Sequence, residues 1–243
     1  MGVEKIQTNP IILLEENLEG GQIVLNIAAE KGIRTLLALC PKIYEQNLDV
    51  SLTEDLDRAL GSQKIVRRSY SEVEVTSKLR AFELYKQKSC PLTFARFINT
   101  VGTRQSGSYW MVLPIFVKAA ISNQPLIVYG DGTQSRTFCS VTDVVDTLML
   151  LMVSKEIIGK AFDIVAINGI KITEITQKVF MLTNSTSEII HKKHYGVFGD
   201  NSEESQRKVP DISKINKLID WQPKQSFDEG IVEITKYLKA NDA

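Results

Sequence analysis

Long hydrophobic runs are missing from this chain of 243 residues, and no apolar stretch approaches the roughly 18–20 residues that a membrane span requires. An excess of either charge is missing too. Lysine and arginine number 29 and aspartate and glutamate 29, which leaves no electrostatic footprint for nucleic acid or an anionic membrane. Cysteine is scarce: Cys40, Cys90 and Cys139 are far apart and odd in number, which fits buried thiols in a reducing compartment better than a disulfide framework. Cys40 has no nearby sequence cue for a base and reads as a buried thiol rather than a nucleophile. The start, Met1-Gly2-Val3-Glu4-Lys5, lacks a signal-peptide pattern, and Ile6 breaks a myristoylation reading, so the expected location is the cytoplasm. Only two histidines occur. His191 and His194 stand at i and i+3 on a strand ending, where their side chains point to opposite faces, so no metal site is expected.

What is present is ordinary globular material, 43% hydrophobic and 24% charged, enough for one large domain or two modest ones. From Ile11 to Lys31 the apolar residues Ile11, Leu14, Leu18, Val24, Ile27 and Ala28 recur at helical spacing, and Gly32 follows as a stop. Thr35-Leu36-Leu37-Ala38-Leu39 is a short continuous apolar run, the mark of a strand buried on both faces. Residues 45–69 carry mixed charge with little periodicity and read as a long loop. Helices are predicted over 71–88, 114–122, 141–153, 173–183 and 227–238, and strands over 91–97, 126–129, 161–167 and 187–191. Asp143 and Asp146 lie near the start of the third of these helices, where acids suit the helix dipole. The alternation gives an α/β class with a mainly parallel sheet.

Three stretches carry more specific information. They are Arg96-Phe97-Ile98-Asn99-Thr100-Val101-Gly102-Thr103-Arg104-Gln105, then Val128-Tyr129-Gly130-Asp131-Gly132-Thr133-Gln134-Ser135-Arg136-Thr137-Phe138 running into Val141 and Asp143, and Arg207-Lys208-Val209-Pro210-Asp211 followed by Trp221-Gln222-Pro223. A nucleoside diphosphate needs fixed cationic forks, which arginine supplies and lysine does not. Arg136 lies just past a Gly-Asp-Gly turn and Arg207 just before a Pro-Asp turn, loop settings suited to ligand contact. In this order and spacing the stretches resemble the extended short-chain dehydrogenases that act on nucleotide sugars, most closely the UDP-glucuronate decarboxylases and their epimerase relatives.

The resemblance implies a Rossmann-like, doubly wound parallel sheet with a smaller C-terminal substrate-binding subdomain. Residues 1–110 would be the remaining part of the Rossmann-like domain. Residues 111–243 would be mainly the nucleotide-sugar subdomain, with one or two segments returning to the sheet. It further implies that Asn99, Arg104, Arg136 and Arg207 contact a UDP-sugar and that Tyr129 borders the base. Asn17 would lie near cofactor and substrate, and helices 11–31 and 71–88 would pair two subunits as a four-helix bundle.

The sequence also departs from that family. Its members open with a glycine-rich turn that cradles the pyrophosphate of NAD, and no G-x-G-x-x-G occurs in the first hundred residues here. The first helix matches the family's fourth, so the sequence reads as truncated and unable to hold NAD alone. The Tyr-x-x-x-Lys pair is replaced by Tyr70-Ser71-Glu72-Val73-Glu74, and a carboxylate at Glu74 would raise the tyrosine pKa where a lysine would lower it. Cys40 takes the place of a serine or threonine, followed by Pro41 and Lys42 in place of a serine and a glutamate. Thr103, Trp110 and Ile115 replace a usual proline, glycine and arginine. The expectation is a degenerate member that binds a UDP-sugar, is completed by another polypeptide, or serves as a structural or regulatory subunit. Without the first three strands, Thr35–Leu39 is expected to be an uncovered apolar sheet edge.

Overall fold

The computed structural model describes residues 10–39, 66–105, 111–166, 168–193 and 211–241, with no side-chain description at 10, 13, 14 and 66–75. Helix α1 (Pro10–Lys31) leads into β1 (Thr35–Leu39), and α2 (Val66–Lys88) leads into β2 (Leu92–Phe97). The loop expected over 45–69 is therefore corrected at its end: residues 66–69 are already the first turn of α2, because Val66-Arg67-Arg68 continues the helix without a proline or glycine to stop it. Strand β3 (Thr100–Val101), helix α3 (Val112–Ile121) and strands β4 (Leu126–Tyr129), β5 (Ser135–Arg136) and β6 (Cys139–Ser140) follow. Then come α4 (Val141–Val153), β7 (Ala161–Ile164), β8 (Ile170–Lys171), α5 (Ile172–Thr183) and β9 (Ile189–Lys192), and last α6 (Ser213–Ile219) and α7 (Phe227–Asn241). The strand predicted over 161–167 ends at Ile164, and α6 falls where no element was predicted. A seven-residue helix spans too few turns for its periodicity to stand out in the sequence.

The main sheet is parallel, in the order β1-β2-β7. Its central strand is buried along almost its whole length, which is why Leu92–Phe97 reads as a continuous rather than an alternating apolar run. Alternate residues of β2 serve two cores. Leu92 and Phe94 join Leu25, Ala28 and Ala29 of α1 and Ala81 of α2. Ala95 joins Val144 and Leu151 of α4, Phe162 and Ile164 of β7, and Ile215 and Trp221 at the C-terminal side. A third core gathers Leu113, Phe116 and Val117 of α3, Leu126 and Val128 of β4, Ile175 and Val179 of α5, and Ile231 and Ile234 of α7. Residue 161 onward thus returns to the sheet after α3, β4 and their neighbours have left it.

Two further contacts fix how these bodies join. Arg96 and Asp163 are register partners on β2 and β7, and their side chains form a fully buried ion pair at 3.4 Å. A buried pair of this kind contributes little net stability, but removing either charge alone strands the other and costs roughly 3–5 kcal/mol. The carboxylate of Asp143, in the first turn of α4, is likewise buried and accepts the backbone N–H groups of Lys224 and Gln225 at 3.1 and 3.0 Å. This anchors the segment between Trp221 and α7. That helix opens with a reciprocal cap: the Ser226 hydroxyl accepts from the Glu229 N–H, and the Glu229 carboxylate accepts from the Ser226 N–H.

Candidate functional site: a nucleotide-sugar binding region

The site forms where the chain leaves β2. Asn99 sits between β2 and β3 with φ 45°, the left-handed region that asparagine tolerates better than other side chains. That kink aims its amide at a separate stretch of chain: Nδ2 donates to the Thr137 carbonyl at 2.8 Å, while the Asn99 carbonyl accepts the Cys139 N–H at 3.2 Å. Strands β3 and β6 then pair in parallel, Thr100 with Cys139 and Val101 with Ser140. The first two sequence stretches, 40 residues apart in places, are stitched into one surface by these bonds. Close packing enforces the arrangement. A Cβ on Gly102 would lie 2.4 Å from Val141 Cγ1, so no larger residue fits beneath the start of α4.

The second stretch is held from its other side. In the turn after β4, the Asp131 carboxylate accepts both the N–H and the hydroxyl of Thr133, at 2.9 and 2.7 Å. The Thr133 N–H and hydroxyl, in that order, hold this exposed carboxyl below its usual range. Gly132, at φ 76°, would place a Cβ 2.7 Å from Thr173 Cγ2, so the second glycine of Gly-Asp-Gly is required by both conformation and space. Gln134 Nε2 donates to the Tyr129 carbonyl at 3.0 Å, and β5 pairs antiparallel with β8, setting Arg136 opposite Ile170.

The expected site residues separate accordingly. Asn99 is joined to the stretch that carries Arg136, which is half-buried and donates from Nη1 to the Ser135 carbonyl at 2.9 Å. Arg104 is exposed in the turn after β3, with φ 64°. Tyr129 ends β4, half-buried. Asn17 stands in the first half of α1, half-buried, on an element whose core residues pack with α2 and β2. Tyr70 and Glu74 lie in α2, but their side chains are outside the described residues, as are Cys40, Trp110, His194 and Arg207. Ile115 lies on α3 and is 36% exposed. His191 Nδ1 lies 2.9 Å from the Gly130 carbonyl oxygen, so this ring braces the turn after β4. Among the described residues no group of three or more potential ligands is placed to hold a metal. Cys139 is buried beneath the site, and burial, then the charge of Asp143, push its thiol pKa up to about 12.

Asp143 holds a task that its place in the sequence does not disclose. Its sequence signal was an acid in the first turn of a helix, which reads as dipole compensation. The structure gives it a second task that spacing cannot reveal, because its partners lie about 80 residues downstream.

A parallel sheet with flanking helices, and a turn beyond β2 tied to the Arg136 stretch, define a Rossmann-like α/β fold. Residues 2–164 match the NAD dependent epimerase/dehydratase family, and the chain belongs to that family. It is 28% identical over 240 residues to the UDP-N-acetyl-alpha-D-glucosaminuronate decarboxylase of Bacillus cytotoxicus, covering 98% of this chain and 74% of that protein. It is also 28% identical over 233 residues to UDP-glucuronic acid decarboxylase 2 of Arabidopsis thaliana, covering 94% of this chain but 49% of the plant protein. The chain thus spans about half the length of that plant relative. Among solved structures, epimerase Mth375 of Methanothermobacter thermautotrophicus superposes with a TM-score of 0.87 at 24% identity, over 99% of this chain and 69% of the other. The UDP-glucose 4-epimerase of Thermotoga maritima, solved with UDP-glucose, also gives 0.87, at 18% identity, over 100% of this chain and 75% of the other. These likenesses establish the fold.

Asn99 does two separable things, bending the chain and tying it to Thr137. Asn99→Gly keeps the bend and loses the amide bond, and should cost about 1 kcal/mol in urea unfolding. Asn99→Ala should cost roughly 1–2 kcal/mol more, because alanine pays to enter the left-handed region. A glycine variant less stable than the alanine variant would contradict this assignment.

Proposed function

We propose that these residues form the UDP-sugar-binding portion of an NAD-dependent nucleotide-sugar decarboxylase or epimerase, and that by themselves they do not carry out hydride transfer. The observation that carries this reading is the Asn99–Thr137 bond with the β3–β6 pairing. Together they gather Asn99, Arg104 and the Arg136 stretch beyond the carboxyl end of β2, the end of a parallel sheet where such folds bind ligands. In this reading Arg136, with Arg207, supplies guanidinium forks to the diphosphate, Asn99 hydrogen-bonds the sugar nucleotide, and Tyr129 borders the uracil. The UDP-sugar named for the Bacillus, Arabidopsis and Thermotoga relatives supports the class of ligand.

The cofactor end is different. NAD's pyrophosphate needs closely spaced backbone N–H donors at a glycine-rich turn opening a helix. None of the strand-to-helix junctions among the described residues has that build, and the start of α4 is filled by the packing of Val141 against Gly102. The described residues do not fit this group, so no step is assigned through it. Glu74 at the place of the family's lysine points the same way, since it cannot lower the Tyr70 pKa.

A pairing surface is proposed as well. The packed pair α1 and α2 leaves Ile23, Val24, Ile27 and Leu79 largely exposed, an apolar face suited to a second helix pair. If this face dimerises the chain, Ile23→Glu should convert a dimer to monomers in light scattering, and an unchanged mass would count against it.

Titration of the purified chain with UDP tests the main reading. Arg136→Ala should weaken UDP binding roughly tenfold or more, and Arg136→Lys should not restore it, because an ammonium cannot replace a bidentate fork. Unchanged UDP affinity in an Arg136→Ala/Arg207→Ala double variant would sink the proposal.

A further inference from the structure

The sequence contains one Asn-Gly dipeptide, Asn168-Gly169, and it lies in the segment that delivers β8 to the candidate site. Both residues are exposed and belong to no helix or strand. The segment is short and fixed at each end. Before it, Ile164 and Val165 are fully buried in the core that α4 shares with β7. After it, Ile170 and Lys171 pair with Arg136 and Ser135. The Ile172 N–H then donates to the Gln134 carbonyl at 3.2 Å, and the Thr173 N–H to the Gly132 carbonyl at 3.1 Å. Hydrogen-bonded pairs alternate along an antiparallel ladder, so Ile170 and Arg136 are the next bonded pair after Ile172 and Gln134. The backbone of Arg136 is thus held by a residue two positions beyond Asn168.

Asparagine before glycine is a covalently weak point, because glycine has no side chain to keep its nitrogen away from the asparagine amide. The deprotonated Gly169 nitrogen attacks Asn168 Cγ, the N–Cγ bond forms, the Cγ–Nδ2 bond breaks, and ammonia leaves. Water then opens the five-membered imide. Cleavage at the main-chain carbonyl leaves the peptide running through Cγ, as isoaspartate, and cleavage at Cγ gives aspartate. No oxidant or enzyme is required. The isoaspartate chain is longer by one methylene and carries a new carboxylate. Asp131-Gly132, in the turn after β4, has the same spacing for imide formation, but its carboxylate accepts the Thr133 N–H and hydroxyl and is held ionised. An ionised carboxylate must be protonated before it can lose water to an imide, and Asn168 has no such requirement.

We propose that Asn168 is a site of spontaneous conversion to isoaspartate, and that the lengthened backbone unpairs β8 from β5 and releases Arg136. The four residues 166–169 join Val165 to Ile170, which leaves little room for an added backbone atom. Val165 cannot move without opening its core, and Ile172, which starts α5, is buried in another. The pairing of β5 with β8 is two residues long and only half-buried, so it is the part of the path that yields. A register lost there frees the Arg136 backbone from its cross-strand partner. The unpairing stands on the fold alone, whereas its effect on ligand affinity rests on the UDP reading given above.

The test is to age the intact chain at mildly alkaline pH and physiological temperature, and to follow it by peptide mapping, amide hydrogen exchange and UDP titration. Isoaspartate should accumulate at Asn168 and not at Asp131, and Asn168→Gln, whose ring closure is slower, should stay unconverted. In the converted chain the Ile172 and Thr173 amides should exchange about tenfold faster or more, because their partners on the 132–136 segment are lost. UDP affinity should fall roughly threefold or more. Asn168→Asp adds the charge without lengthening the chain, and its Ile172 and Thr173 amides should exchange as slowly as in the fresh protein. A folded chain that forms no isoaspartate at Asn168 would overturn the proposal, and so would conversion that leaves the exchange of Ile172 and Thr173 unchanged. A fresh chain that does not bind UDP would count against the UDP reading alone, and the exchange rates would still decide the unpairing.

Discussion

Asn99 donating its amide to the Thr137 carbonyl is the contact on which the proposed ligand-binding surface depends. Strand β2 alone would deliver the 96–105 stretch to the end of a sheet and nothing more. The left-handed turn at Asn99 redirects the chain into β3, and the amide bond brings the Arg136–Phe138 segment beside it, so that β3 and β6 can pair. Gly102 then lets the first turn of α4 sit directly on the junction. Asp143, in that same turn, extends the organisation to the C-terminal segment. The route from β2 to the last helix thus passes through a few short polar contacts, each buried or partly buried, where a hydrogen bond is costly to leave unmade.

The two ends of the molecule differ in how complete they are. Around Asn99 and Arg136, turns are closed, glycines are used where no side chain fits, and the buried Asp143 carboxylate finds partners, while Thr100 Oγ1 and Gln105 Oε1 are buried without one. Around β1, no strand among the described residues pairs with the outer edge, and α4 carries exposed apolar residues such as Val145 and Met149. No described helix is long and apolar enough to cross a membrane. The sequence draws a related contrast, with arginine-bearing stretches at 96–105 and 128–138 and no G-x-G-x-x-G in the first hundred residues.

Much of the fold was legible because the core elements have strong periodicity. Leu126–Tyr129 and Val141–Val153 match their predicted bounds, and α1, β1 and β2 differ by a residue at most. Two-residue strands such as Ser135–Arg136 and Cys139–Ser140 were not legible, since pairing across the chain, and not local composition, creates them. The buried Arg96–Asp163 pair was invisible for the same reason: each residue reads as a surface charge until the β2–β7 register is known. In the candidate site, the motifs singled out Asn99 and Arg136 but not the bond that joins their stretches, and the anchoring role of Asp143 rests on a partner 81 residues away.

The central claim is that these residues carry the nucleotide-sugar end of the family's site and not its cofactor end. Calorimetric titration of the chain with NAD, on protein shown to be folded by circular dichroism, tests it most directly. The account predicts no measurable heat of binding. Saturable binding in the micromolar range would contradict it, and would mean that these residues build a pyrophosphate cradle without the glycine-rich turn.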